Sequence, residues 1–99
     1  MLTKLELFCG TNFRELDGYQ NIGIDIVEPK NKPKNCLFFK CNLGFDKLPN
    51  LDNSIDLCQA YDGFEHTPRI VYLMVDGVIE KFTPFIFMMN EIYRVMKND

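Results

Sequence analysis

The sequence predicts an α/β fold, and three observations carry that expectation. Short runs of apolar residues recur along the chain, several stop at loops rich in Gly, Asn or Asp, and an amphipathic helical stretch follows a hairpin signal near the C-terminus. Strands that each end in a polar loop fit a sheet whose ligand sits at the strand C-termini.

The elements follow in order. Residues 4–8 (KLELF) read as a first strand that stops at the turn Cys9-Gly10-Thr11-Asn12. Residues 22–27 (IGIDIV) form a second, and the polar, Pro-broken stretch 28–35 is a loop. Residues 36–41 (CLFFKC) make a third strand, and the turn Leu51-Asp52-Asn53-Ser54 precedes a fourth over 55–61 (IDLCQAY). Only residues 11–21 separate the first two strands, barely the length a parallel crossover needs. That connection therefore holds a helical turn or two, or is an extended loop.

Residues 70–75 and 78–82 flank Asp76-Gly77, a pair suited to the type I′ hairpin turn. Thr83 then caps a helix whose first residue is Pro84. Phe85, Met88, Met89, Ile92 and Met96 fall on one stripe, with Asn90, Glu91, Arg94 and Lys97 opposite. A core-facing stripe is the leading reading; a soft-metal or hydrophobic-ligand surface is the alternative.

Ninety-nine residues suffice for one domain, spanning 1–99, and not for two. The composition, 46% hydrophobic and 25% charged, is that of a globular protein. A net charge of −3 disfavours a dedicated nucleic-acid binder, which needs clustered Lys and Arg. The start of the chain lacks a long apolar core and the run 70–75 is too short to cross a bilayer, so neither secretion nor a membrane partner is expected. Cys9, Cys36, Cys41 and Cys58 lack paired C-x-x-C spacing and only His66 could join them, so no metal site is expected. They read as reduced core thiols of a cytoplasmic protein.

Three strand ends carry candidate chemistry. Gly10, after the first strand, lets a ligand approach the backbone closely. A pyrophosphate would ask for G-x-G-x-x-G, and only one of those glycines is present, which disfavours a nucleotide-dependent oxidoreductase. Glu6 beside the turn suits a ligand ammonium or the backbone turn that holds it, with an ordinary strand-edge Glu as the competing reading. Asp25, at the end of the second strand, can accept hydrogen bonds from ribose hydroxyls, or can be a solvated strand-end Asp. Because Glu6 and Asp25 end adjacent strands, they are expected to face one crevice. Asn42 and the backbone N–H of Leu43 could offer donors to an adenine edge, turn-forming Asn being the alternative.

The pattern resembles the class I S-adenosylmethionine-dependent methyltransferases. Leu5-Glu6-Leu7-Phe8-Cys9-Gly10-Thr11-Asn12 resembles their first motif, and the run Gly18-Tyr19-Gln20-Asn21-Ile22-Gly23-Ile24-Asp25-Ile26 is similar to their second-strand motif in members with a short first crossover. Leu48-Pro49 through Asp56-Leu57 resembles an LP-x-x-D-x-S-x-D approach to the fourth strand. The segments Glu65-His66-Thr67-Pro68-Arg69, Pro84-Phe85 and Met89-Asn90-Glu91-Ile92-Tyr93-Arg94-Val95-Met96-Lys97 resemble EH-x-PR, PF and MNE-x-x-RV-x-K. Phe8 stands in place of the first Gly of G-x-G, and Asn42 where the family commonly has Asp.

The resemblance implies a partial Rossmann-like three-layer sandwich: the first four strands of the methyltransferase sheet, a short first crossover and a β-hairpin insertion before the last helix. It implies S-adenosylmethionine as cofactor, held by Glu6, Phe8, Cys9, Gly10, Thr11, Asn12, Asp25, Ile26, Asn42, Leu43, Ala60 and Tyr61, and methyl transfer to an unidentified acceptor. His66, Glu65 and Asp62 lie where a base would sit; His titrates near neutral pH, though a His beside a turn also serves structure. Tyr61 and Asp62 could line the methionine end, and the hairpin could be a flap that selects the acceptor. The family continues past this chain's last residues with Pro-Gly-Gly and further strands, so the chain is expected to be a truncated domain with weak or absent turnover. The alternative is a cofactor-binding module or split-enzyme fragment needing a partner chain. An uncovered fourth-strand edge is expected to recruit that partner or a second copy.

Overall fold

The computed structural model describes residues 1–10, 13–61 and 63–97. Thr11, Asn12 and Asp62, named above as candidates, lie outside the described residues. Four parallel strands, β1 (Leu2–Leu7), β2 (Tyr19–Asp25), β3 (Cys36–Lys40) and β4 (Leu57–Ala60), form one sheet in the order β3-β2-β1-β4. A single 3-10 turn (Phe64–His66) follows β4. The antiparallel hairpin β5 (Val71–Val75) and β6 (Val78–Phe82) comes next, then helix α1 (Pro84–Val95).

Strand β2 starts earlier than its apolar run suggests. The parallel ladder sets Leu2 beside Tyr19 and Lys4 beside Asn21, so polar residues join the strand. Asn21 is buried because the crossover satisfies its amide. Its Oδ1 accepts from the Leu16 N–H at 3.0 Å, and its Nδ2 donates to the Leu16 and Tyr19 carbonyls, both at 3.1 Å. Strand β4 is shorter than expected: Ile55 instead bridges Met96, and Asp56 accepts from the Thr3 N–H at 2.8 Å.

Register decides what each face holds. Leu5 pairs with Ile22 and Leu7 with Ile24, placing four apolar side chains on one face. There they form the core with Leu43, Leu48, Ile55, Met88 and Val95, under helix α1. On the opposite face Glu6 pairs with Gly23, above which the Phe13 ring lies so close that a Cβ would stand 2.4 Å from it. Of the three layers expected, the sheet and one helical layer are present. The Phe13–Leu16 part of the crossover covers the other face as irregular chain, since eleven residues are too few for a helix that also returns to the sheet.

Helix α1 starts at Pro84 with Thr83 as its cap residue, although the Thr83 side chain makes no capping bond. Most of the expected stripe faces the core, with Met88 buried and Phe85, Ile92 and Met96 packed against it, and the buried face extends to Glu91 and Val95. Met88, Glu91 and Val95 are buried, Met89 is 41% exposed, and Met96 has left the helix to pair beside Ile55. Glu91 belongs inside because its carboxylate has partners there. It accepts from the Leu48 N–H at 2.8 Å and from Arg94 at 2.9 and 3.0 Å. Arg94 also donates to the Leu48 and Asn50 carbonyls and to Asp52, strapping the loop before β4 to the helix. This side-chain bond to Arg94, the largest effect, holds Glu91 below its ordinary carboxylate range despite burial.

The hairpin turn is as expected, with positive φ at both Asp76 (51°) and Gly77 (80°), the requirement of type I′. No helix among the described residues is long and apolar enough to cross a membrane.

Candidate functional site at the strand C-termini

The chain runs outward from β1 to β2 to β3, then crosses back to place β4 on the other side of β1. In open parallel sheets a reversal of this kind leaves a crevice beyond the strand C-termini, where ligands bind. A cavity of about 240 Å³ lies at these strand ends. It brings together six of the expected residues: Phe8 after β1, Asp25 and Ile26 from the end of β2, Asn42 and Leu43 after β3, and His66 after β4. Cys41, Phe45, Thr67 and Pro68 also line it, and no Lys or Arg does so among the described residues.

The turn after β1 is built around Phe8, whose φ of 55° is uncommon for a residue with a side chain. Its ring meets Phe64 edge-on at 6.1 Å, and Phe64 meets Phe85 in the same manner at 6.3 Å. Gly63 lies against the Phe8 side chain, where a Cβ would fall 2.2 Å from the ring. The aromatic row thus fixes the first strand's exit against the start of helix α1.

Asp25 joins two strand ends. Its Oδ2 accepts from the Gly10 N–H at 2.8 Å, and its Oδ1 from the Ile26 N–H at 2.7 Å. Two carboxylate oxygens offer about four acceptor sites, so capacity for two further donors is left. Asn42 heads the loop after β3: its carbonyl accepts from the Phe45 and Asp46 N–H groups at 3.0 and 2.9 Å, and its own N–H donates to Asp46 Oδ2 at 2.9 Å. Its side chain is left exposed. A second hollow, about 370 Å³, shares Asp25 and Ile26 with the first and is bounded by Gly10 and the loop after β2.

Other expected residues are not part of the cavity. Glu6 does not share it with Asp25: it is 1% exposed, 3.3 Å from Lys4 Nζ, and accepts from the Arg14 N–H at 3.0 Å and from the Arg14 guanidinium at 3.4 Å. A buried carboxylate needs such partners, and the short crossover supplies them. Glu6 therefore holds the backbone after the turn, one of the two roles its position allowed. Cys9 is buried, and burial, helped by Asp25 and Glu6, pushes its thiol up to about 11. Ala60 is half-buried at the end of β4. Tyr61 is exposed, and the Arg14 guanidinium stacks on its ring at 3.8 Å. Glu65 stands 3.5 Å from His66 Nε2 in the 3-10 turn without lining the cavity, and the His66 side chain is 79% exposed.

Arg14 and Lys4 escaped the sequence reading. Lys4 is 1% exposed and donates to the Arg14 carbonyl, while Arg14 reaches both Glu6 and Tyr61. Hydropathy gives no sign of a buried Lys; the only cue was its alternation with Leu5 in a strand. Among the described residues no group of three or more His, Cys, Asp or Glu side chains could hold a metal ion. Comparison with family models, with curated proteins and with solved structures finds no match for this chain.

Proposed function

We propose that the chain is a class I S-adenosylmethionine-dependent methyltransferase domain, binding its cofactor in the cavity at the ends of β1, β2 and β3. One observation carries this reading: the order β3-β2-β1-β4 converges Phe8, Asp25 and Asn42 on one hollow at the point where strand order reverses. The lining suits an adenosine group. Asp25 retains acceptor capacity for a ribose diol, Asn42 and Leu43 offer polar groups to a base edge, and Phe8 and Pro68 supply apolar contact. The turn after β1 carries one Gly of the G-x-G-x-x-G pattern, and Phe13–Leu16 beyond it form no helix whose N-terminus could receive a pyrophosphate, which speaks against a dinucleotide. The partial Rossmann-like sheet, with the hairpin as an insertion before the last helix, fits the same family.

When bound, S-adenosylmethionine supplies a methyl group activated on a sulfonium. The chain's own part is to position it: Gly10 and Asp25 lock the turn, and Glu6 and Arg14 hold the crossover behind it. His66 lines the cavity, and in this reading it accepts a proton from the acceptor. Four unpaired thiols support a reducing, cytoplasmic setting. The exposure of His66 favours a second reading, a module that binds the cofactor without performing chemistry, because an open site does not exclude water.

Titration calorimetry with S-adenosylhomocysteine, adenosine and NAD tests the proposal. Binding of the first, weaker binding of the second and none of the third is expected. Absence of heat with S-adenosylhomocysteine for the folded chain rejects it, and turnover assays then divide the two readings.

A further inference from the structure

The hairpin β5–β6 stands apart from the main sheet, and Tyr72, Leu73, Met74, Val75, Val78 and Ile79 are all exposed on it. A two-stranded hairpin is marginal in water unless another strand or layer joins it. Its two strands differ in how they meet solvent. β6 carries Glu80 and Lys81, residues that guard an edge. β5 reads Val71-Tyr72-Leu73-Met74-Val75, with no charge and no Pro, and no strand of the described residues lies along its outer edge.

The surplus surface can be sized. The chain exposes 6694 Å², against about 5,800 Å² for a compact monomer of this mass. The excess, on the order of 850 Å², belongs to the whole chain, and the exposed hairpin is one part of it. The radius of gyration, 14.6 Å, likewise exceeds the ~12.6 Å of a compact chain of this length.

We infer that a second copy of this chain covers the hairpin, its β5 pairing antiparallel with this β5 across a twofold axis at Leu73. The residue pattern favours self-pairing. Centring on Leu73 sets Val71 opposite the second copy's Val75 and Tyr72 opposite its Met74, so every cross-strand pair is apolar. Glu80 and Lys81 stay on the outer strands of a four-stranded antiparallel sheet, and the contact closes as a dimer. Asp76, Glu80 and Lys81, the hairpin's charges, make no basic patch for anionic lipid or nucleic acid. The edge of β4 is the weaker candidate: Met96 and Lys97 lie beside Ile55 at its start, and its residues are half-buried. This inference is independent of the proposed activity.

Sedimentation of the full chain over a wide concentration range tests it, beside Leu73→Lys and Gln59→Lys variants whose folding is checked by circular dichroism. A dimer is expected for the parent, weakened about a hundredfold or more by Leu73→Lys, which opposes two like charges at the axis. Leu73→Cys, treated with a short bis-maleimide, should crosslink two chains, whereas Ile79→Cys on the outer strand should give no more product than the parent. Monomer mass at all concentrations overturns the inference. So does a dimer that survives Leu73→Lys, or one dispersed by Gln59→Lys alone.

Discussion

Gly10 donates its backbone N–H to Asp25 Oδ2 at 2.8 Å, and this bond ties the turn after β1 to the end of β2. Gly10 sits at a φ of 52°, and a Cβ there would lie 3.7 Å from the same oxygen, so the turn and the carboxylate are shaped to each other. The carboxylate thus organises the floor of the cavity before any ligand arrives.

Asp25→Ala is expected to weaken S-adenosylhomocysteine binding by roughly 1.5–3 kcal/mol, the worth of hydrogen bonds to a charged group. Calorimetry on parent and variant measures this directly. Equal affinities would remove Asp25 from the site while leaving the fold unaffected.

His66→Ala should leave cofactor affinity within about twofold of the parent, because the side chain stands exposed at the mouth. Turnover with an acceptor that must lose a proton should fall by ~10²-fold or more, the usual worth of a positioned base. Unchanged turnover at saturating cofactor would make His66 a rim residue only.

Glu91 ties stability to pH. Its folded-state pKa is lowered, chiefly by the Arg94 side chain, so its contribution is present above the unfolded value near 4.5 and is lost as pH falls through the folded one. Asp56, lowered by the Thr3 N–H and by Lys97, acts in the same direction below its ordinary 3.8. Thermal melts should therefore fall as pH drops below ~4.5. Glu91→Ala should cost about 2–3 kcal/mol, somewhat under the range for a fully buried pair because Arg94 keeps Asp52 and is part-exposed.

Gly63→Ala should destabilise by roughly 1–3 kcal/mol, the range for overpacking, since its Cβ would meet the root of the Phe8 side chain as well as its ring. Phe8 lines the cavity, so affinity for S-adenosylhomocysteine should drop together with the midpoint of urea denaturation. A variant as stable as the parent would show that Phe8 is free to move.

The thiols offer a chemical check. Burial pushes Cys9, Cys41 and Cys58 each up to about 11 from 9.0. Two units less thiolate implies alkylation about a hundredfold slower than for an ordinary thiol, before access is considered. Iodoacetamide labelling at pH 8, followed by mass spectrometry with and without urea, should find these cysteines protected until the chain unfolds.

The sequence by itself determined the kinds and order of elements and where their chemistry clusters. Alternating apolar residues, the Asp76-Gly77 turn and Thr83-Pro84 are local signals, and each is realised within a few residues of its expected place. Asp25 and Asn42 were legible as strand-end polar groups because strand ends are marked by loop chemistry. Only the tertiary structure decided what each polar side chain faces. Glu91 reads as solvent-facing from its helical position, yet it is buried, because Leu48 and Arg94 reach it from a loop more than forty residues away and from the next turn. Glu6 reads as a partner for a ligand ammonium or for the turn backbone, and the fold turns it to Lys4 and the Arg14 backbone on the opposite face from Leu5 and Leu7. Periodicity records burial along one element, whereas a charged group is buried or exposed according to which distant donors the fold brings within hydrogen-bond reach.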